Sequence, residues 1–280
     1  MNFGGQLISC RIKLRLPGRR YGGAVRRAPE PTPGQLAEYA GDRGTGHRDN
    51  ALMLIDHWPL LGLRLITSRL ELRLPADEEL GDLADLAAEG MYDPGSRPFL
   101  VSWPGLPPKD RARALVQRHW RYRSDWSASD WTLDLAVFAD GQVVGQQEIS
   151  ARDYPVLREV STFSWLGIRH HGQGIGTQMR AAALHLAFAG LGATDATSGS
   201  FDDNISALRV SEKLGYQPDG IERLAAHGQV TTTRRLRLTR DRWEATDRAP
   251  VTITGLTQCL PLFGLPADSH TPPTTIERPG

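Results

Sequence analysis

The stretch SWLGIRHHGQGIGTQMRAAALHLAFAGLGA, residues 164–193, carries the most information in this chain. A β-type run enters His171-Gly172-Gln173-Gly174-Ile175-Gly176-Thr177 and leaves as a helix in which Met179, Ala183, Leu186 and Ala187 recur at helical spacing, so that one face can lie on a sheet. Glycines at such a strand-to-helix turn let a ligand approach the backbone closely, and the unpaired N–H groups at a helix start point outward with the positive end of the dipole. The turn therefore predicts an anion site. A pyrophosphate would engage several such donors at once, the dipole adding roughly 0.3 to 2 kcal/mol.

Outward from this turn, the chain alternates helix-period and strand-period segments. Leu70, Leu72 and Leu74 alternate with Glu71 and Arg73 as in a half-buried strand beginning near Leu65, and Leu80, Leu83, Leu86 and Ala87 mark an amphipathic helix over 76–91. A Pro/Gly-rich loop from Asp93 to Pro108 follows. The segment from Asp110 to about Trp126 predicts a second helix, with Ala114, Leu115, His119 and Trp120 inward and the arginines solvated. Asp140-Gly141 between Trp131–Ala139 and Gln142–Ile149 predicts a hairpin with a type I′ turn. Further strands are expected at Glu159–Ile168, Ala193–Ser198, Tyr216–Ala225 and Thr231–Leu238, with a helix at Ile205–Leu214.

A second motif stands at Asn204-Ile-Ser-Ala207-Leu-Arg-Val-Ser211-Glu-Lys-Leu-Gly215-Tyr216. The two motifs in this order resemble the GCN5-related N-acetyltransferases (GNAT). His171-Gly172-Gln173-Gly174-Ile175-Gly176 is similar to that family's Q/R-x-x-G-x-G/A apart from its first residue; a register starting at Arg169 also fits. The second motif is similar to N-x-x-A-x-x-x-Y-E-K-x-G-F. The likeness covers about residues 64–240, and the wording of the turn most resembles the branch of ribosomal-protein N-terminal acetyltransferases. A Rossmann turn is a weaker match, because G-x-G-x-x-G is missing and an antiparallel hairpin precedes.

The resemblance implies an α/β GNAT fold: a mixed central sheet of six to seven strands with flanking helices, splayed between the fourth and fifth core strands. It implies acetyl-CoA as cosubstrate, an amine as acceptor and direct transfer, in an N-acetyltransferase. Ser164, Trp165 and Leu166 would lie along the pantetheine arm through their backbone, His171, Gly172, Gln173, Gly174, Ile175, Gly176 and Thr177 would cradle the pyrophosphate, and Asn204 and Ala207 would meet the arm from the next helix. Where the family often has a Tyr that protonates the leaving thiol, this chain has Ser211, which makes Ser211 the candidate donor and leaves open an acyl-CoA-binding regulatory module without turnover. Glu148 and Glu159 are the candidate bases, and Tyr216 is an expected core aromatic. Succinyl-CoA as donor and a homodimer also stay open.

Composition sets bounds on the rest. The 280 residues are 40% hydrophobic and 23% charged, a globular balance, and net charge is +1. Nine of the Arg and Lys residues but only four Asp and Glu fall in residues 1–50, a Gly/Pro/Arg-rich tail expected to be disordered; without interleaved aromatics it does not suggest nucleic-acid binding. The acetyltransferase domain is expected over 58–245, an apolar extension packing on it over 246–265, and a loose tail over 266–280. Cys10 and Cys259 form no metal or disulfide pattern, so no metal is expected. No apolar run of membrane-spanning or signal type occurs, which suggests a cytoplasmic protein.

Overall fold

A computed structural model describes residues 54–92, 103–226 and 229–267. The basic tail expected over 1–50, most of the loop from Asp93 to Pro108 and nearly all of 266–280 lie outside the described residues. Nine strands form one mixed sheet: β1 (Arg64–Ile66), β2 (Leu70–Arg73), β3 (Asp130–Ala139), β4 (Gln142–Arg152), β5 (Glu159–Leu166), β6 (Asp195–Phe201), β7 (Gln217–Ala226), β8 (Gln229–Thr239) and β9 (Thr252–Thr254). Their spatial order is β7-β8-β6-β5-β4-β3-β2-β1-β9. The main helices are α1 (Asp77–Glu89), α2 (Pro108–Ser124), α3 (Ile175–His185, continued by a π-helical turn to Gly190) and α4 (Ile205–Lys213).

The strand count exceeds the expected six to seven for a local reason. The first apolar run is broken into β1 and β2 by a tight turn in which the Thr67 amide donates to the Leu70 carbonyl (2.9 Å) and the Leu70 amide donates to Thr67 Oγ1 (2.8 Å). Strand β9 adds three residues antiparallel to β1. A strand of three residues is too short for alternation to set it apart in sequence. The β3–β4 hairpin turns at Asp140 (φ 50°) and Gly141 (φ 75°), both in the left-handed region that a type I′ turn requires.

Two apolar layers cover the sheet. On one face α3 buries Ile175, Met179, Ala182 and Ala183 against Leu72, Leu133, Leu135, Val144 and Ile149. Trp131, Tyr154 and Phe263 close one end of that layer in edge contacts. On the other face α1 and α2 bury Leu80, Leu83, Leu86 and Leu115 against Ala136, Phe138 and Trp165. Helix α2 departs from its expected setting at two positions: Trp120 is 55% exposed and Arg118 points inward, while His119, 1% exposed, lies inward as expected. Polar acceptors on the sheet, described below, draw Arg118 in where the apolar pattern alone favoured Trp120.

The sheet is open at one place. Strands β5 and β6 run parallel and pair only at Glu159–Asp195, Val160–Ala196 and Ser161–Thr197, after which both continue without pairing to each other. Every other neighbouring pair is antiparallel. The gap between the fourth core strand of the sequence reading (β5) and the fifth (β6) is the expected splay, and α3 begins beyond its β5 wall.

Candidate active site

Strand β5 presents an open backbone edge to the gap. The Gly167 amide donates to the Val144 carbonyl (3.0 Å), and β4 pairs with β5 without interruption from Gly145–Leu166 to Ser150–Ser161. Because an antiparallel ladder alternates the direction of its backbone groups, Phe163 and Trp165 turn theirs toward β4, whereas Thr162, Ser164 and Leu166 turn theirs toward the gap. Of the three strand residues expected at the pantetheine arm, Ser164 thus has free-edge geometry, and Leu166 turns its amide to the gap while its carbonyl oxygen is taken by His171. Trp165 does not: its backbone faces β4, and its buried indole donates to Gln146 Oε1 and packs edge-on against Trp103. Close approach of the two strands at this point requires Gly145, where an added Cβ would fall 2.4 Å from the Trp165 carbonyl oxygen.

The glycine turn follows at the end of this edge. His171 Nε2 lies 3.1 Å from the Leu166 carbonyl oxygen, which ties the turn to the strand. Gly172 (φ 75°) and Gly174 (φ 79°) adopt left-handed conformations, and a Cβ on either would meet no protein atom within 4 Å. No side chain caps α3, whose hydrogen-bond ladder opens with the Gln178 amide donating to Gly174 (3.2 Å). The amides of Ile175, Gly176 and Thr177 therefore face out of the helix start beside open space, as an anion requires. Gln173 is held by its side-chain amide to the Arg169 carbonyl (3.1 Å).

Helix α4 forms the opposite wall. Asn204 caps it, its Oδ1 accepting from the Ala207 amide (3.2 Å). Ser211 is 2% exposed; it donates to the Ala207 carbonyl (3.0 Å) and accepts from Arg180 Nη1 (3.0 Å). Its proton is thus committed within the helix. Tyr216 is buried, within 3.4 Å of Thr162 Oγ1, and burial holds its hydroxyl above the usual tyrosine range.

The two candidate bases differ in surroundings. Glu159 stands at the paired root of the gap, five residues from Ser164 along β5, in an ion cluster where Arg237 reaches Glu159 (2.5 Å), Asp195 (3.3 Å) and Asp219 (3.3 Å). The structure does not bring it to the rest of the site. Glu148 is buried on β4 opposite Phe163, with Arg118 Nη1 3.0 Å from its carboxylate. Burial pushes its carboxyl up to about 7, Asp134 adds to the rise, and Arg118 and Tyr122 oppose it.

Sequence reading missed the network that holds Glu148. Arg118 Nη2 donates to Gln146 Oε1 (2.9 Å), Gln146 Nε2 donates to Asp134, and Asp134 Oδ2 lies 3.1 Å from His119 Nδ1. The guanidinium of Arg118 also lies over the rings of Trp103, Tyr122 and Phe163. A visible signal was the pair Gln146 and Glu148, polar residues two apart and hence on one face of β4. Among the described residues no cluster of three metal-ligating side chains occurs, and no helix is long and apolar enough to cross a membrane.

A family model described as "Acetyltransferase (GNAT) domain" matches residues 69–217. Among solved structures, a GCN5-related N-acetyltransferase from Brucella melitensis is 18% identical, with a TM-score of 0.53 over 65% of this chain and 80% of that one. RimJ from Mycobacterium smegmatis, in complex with CoA-disulfide, is 16% identical, with a TM-score of 0.52 over 71% of this chain and 92% of that one. A spermidine N-acetyltransferase SpeG chimera of Vibrio cholerae and hSSAT is 15% identical, with a TM-score of 0.50 over 64% and 100%. At these identities the structures share a fold with this chain.

Proposed function

Because the chain belongs to the acetyltransferase (GNAT) family, we propose that it moves the acetyl group of acetyl-CoA directly to an amine, either a protein N-terminus or a small-molecule amine, in the gap between β5 and β6. One observation carries this reading. The open backbone edge of Ser164 and Leu166 runs into an uncapped helix start at Gly172–Thr177, so a strand-like arm and a diphosphate joined to it find donors in sequence along one path. An extended chain laid on an open strand edge gains backbone hydrogen bonds, and its anionic end gains the helix dipole. Left-handed glycines facing open space fit a diphosphate there.

Glu148 supplies the base in this reading. An alkyl ammonium ordinarily loses its proton near pH 10.4 and must do so before it attacks, so a carboxylate whose own value is about 7 is well matched to accept it at neutral pH. The network of Arg118, Gln146 and Asp134 holds Glu148 in place from the α2 side. Direct transfer needs no covalent acyl-enzyme, and buried Cys259, its thiol pushed up to about 12 by burial, is not available as a nucleophile. The likeness to a spermidine N-acetyltransferase supports a small-molecule amine among the acceptors.

Calorimetric titration with acetyl-CoA and succinyl-CoA, followed by thiol release with N-terminal peptides and with polyamines as separate arms, tests the proposal. Tight acetyl-CoA binding with amine-dependent thiol release is expected. Binding without release from any amine would instead favour a regulatory module, for which the committed Ser211 proton speaks.

A further inference from the structure

Arg180 is a buried cation without an anion. It projects from α3 with 6% exposure, and its contacts are two neutral hydroxyls: Nη1 donates to Ser211 Oγ on α4 (3.0 Å) and Nη2 donates to Ser164 Oγ on β5 (3.2 Å). Among the described residues no carboxylate forms an ion pair with it, and its Nε is buried without a hydrogen-bond partner. Arg118, an inward arginine of α2, has Glu148 beside it. A buried guanidinium lacking a counter-charge is costly, and α3 otherwise fills this face with Ile175, Met179, Ala182 and Ala183. A methionine or leucine there would bury no charge. A negative charge that enters this place would meet an unpaired positive one.

The location of Arg180 indicates which charge that is. Ser164 lies three residues beyond the last β5–β6 pair, and Ser211 lies on the helix that follows β6, so the guanidinium is strung between the two walls of the gap. Resting on the acetyl-transfer reading, we propose that Arg180 is a catalytic residue that pairs with the coenzyme A thiolate as it departs. In that step the amine nitrogen, its proton given up to the base, forms a bond to the thioester carbonyl carbon. The C–S bond then breaks with its electron pair going to sulfur, and the nitrogen releases a second proton to solvent, keeping one N–H in the amide. The charge on sulfur is met by Arg180 through N–H donors that the two serines leave unused, since a guanidinium carries five. Arg180 acts as a charge and not as an acid, and Ser211, whose proton is held by Ala207, serves as a positioning residue for it.

The test reads the ionisation of bound coenzyme A, which a purely structural role would not move. In the wild-type protein the bound thiol, followed by its thiolate ultraviolet absorbance, is expected to titrate about one unit or more below the ordinary thiol value of ~8.5. Affinity for coenzyme A should then rise about tenfold between roughly pH 7 and 9, while desulfo-coenzyme A shows no such rise. Arg180→Met should return the thiol to its ordinary range, and Arg180→Lys should keep a shift. The desulfo comparison needs only wild-type protein, so it decides the matter even if Arg180→Met does not fold. Bound thiol titrating at or above its ordinary value, or equally shifted in Arg180→Met, overturns the assignment alone. Failure to bind coenzyme A at all overturns the transfer reading together with it.

Discussion

Arg118 and Glu148 form an ion pair of 3.0 Å between α2 and β4, and yet the carboxyl keeps its proton to about pH 7, because burial outweighs the attraction and Asp134 adds a like charge. The pair is therefore poised for proton exchange where a fully compensated pair would be inert.

In its proposed role as the base, Glu148 should impose an acid limb on kcat/KM, with activity falling below about pH 7 as the carboxyl protonates. Glu148→Gln is expected to lower kcat about a hundredfold or more and to remove that limb. Arg118→Met takes away the opposing charge, so its limb should move to higher pH. An unchanged pH profile in Glu148→Gln would dismiss this carboxylate.

The same residue predicts an effect on stability with a definite sign. Its folded value, about 7, lies above the ordinary 4.5, so between those two pH values the native state binds more protons than the unfolded state. Glu148 should favour the fold most below pH 4.5, and this contribution should diminish as pH rises to about 7. Urea denaturation from pH 4.5 to 7.5 should show a smaller decline for Glu148→Gln than for wild type.

Gly174→Val is expected to weaken acetyl-CoA binding by about a hundredfold or more, from the loss of two charge-assisted hydrogen bonds at about 1.5 to 3 kcal/mol each. The added Cβ meets no protein atom, so the fold should survive with only the cost of a left-handed β-branched residue. Calorimetry on a variant shown folded by circular dichroism checks this, and near-normal affinity would remove the turn from the coenzyme site.

Gly145→Ala should behave in the opposite way, damaging the fold first. Its Cβ would lie 2.4 Å from the Trp165 carbonyl oxygen and 2.7 Å from Leu166 Cδ2, forcing β4 and β5 apart beside the gap. A loss of about 3 kcal/mol is expected, read as a lower denaturation midpoint. Unaltered stability would show that the two strands can separate freely.

Ser211→Ala leaves one arm of Arg180 without an acceptor inside the protein. A cost of about 1 to 3 kcal/mol is expected, with a melting temperature lower by roughly 2 to 4 °C for each kcal/mol. Transfer should fall less than tenfold, since Ser164 still holds the guanidinium; a loss of several hundredfold would instead make the hydroxyl itself the donor.

Local chemistry made part of this protein readable in one dimension. The positive φ angles at Asp140 and Gly141, the glycines at 172 and 174 and the Asn204 cap follow from residues adjacent in the chain, because backbone conformation answers to near neighbours. The order of strands around the turn, and with it the family, was legible for the same reason. Tertiary structure alone decided which charges are buried. Arg118 reaches Gln146 across 28 residues and Arg180 reaches Ser211 across 31, and neither pairing exists until strand register and helix rotation bring the partners together. In sequence an arginine on a helix is taken as solvated, since leaving water is costly. Only the fold can show where that cost is offset by a partner, as for Arg118, or left standing, as for Arg180.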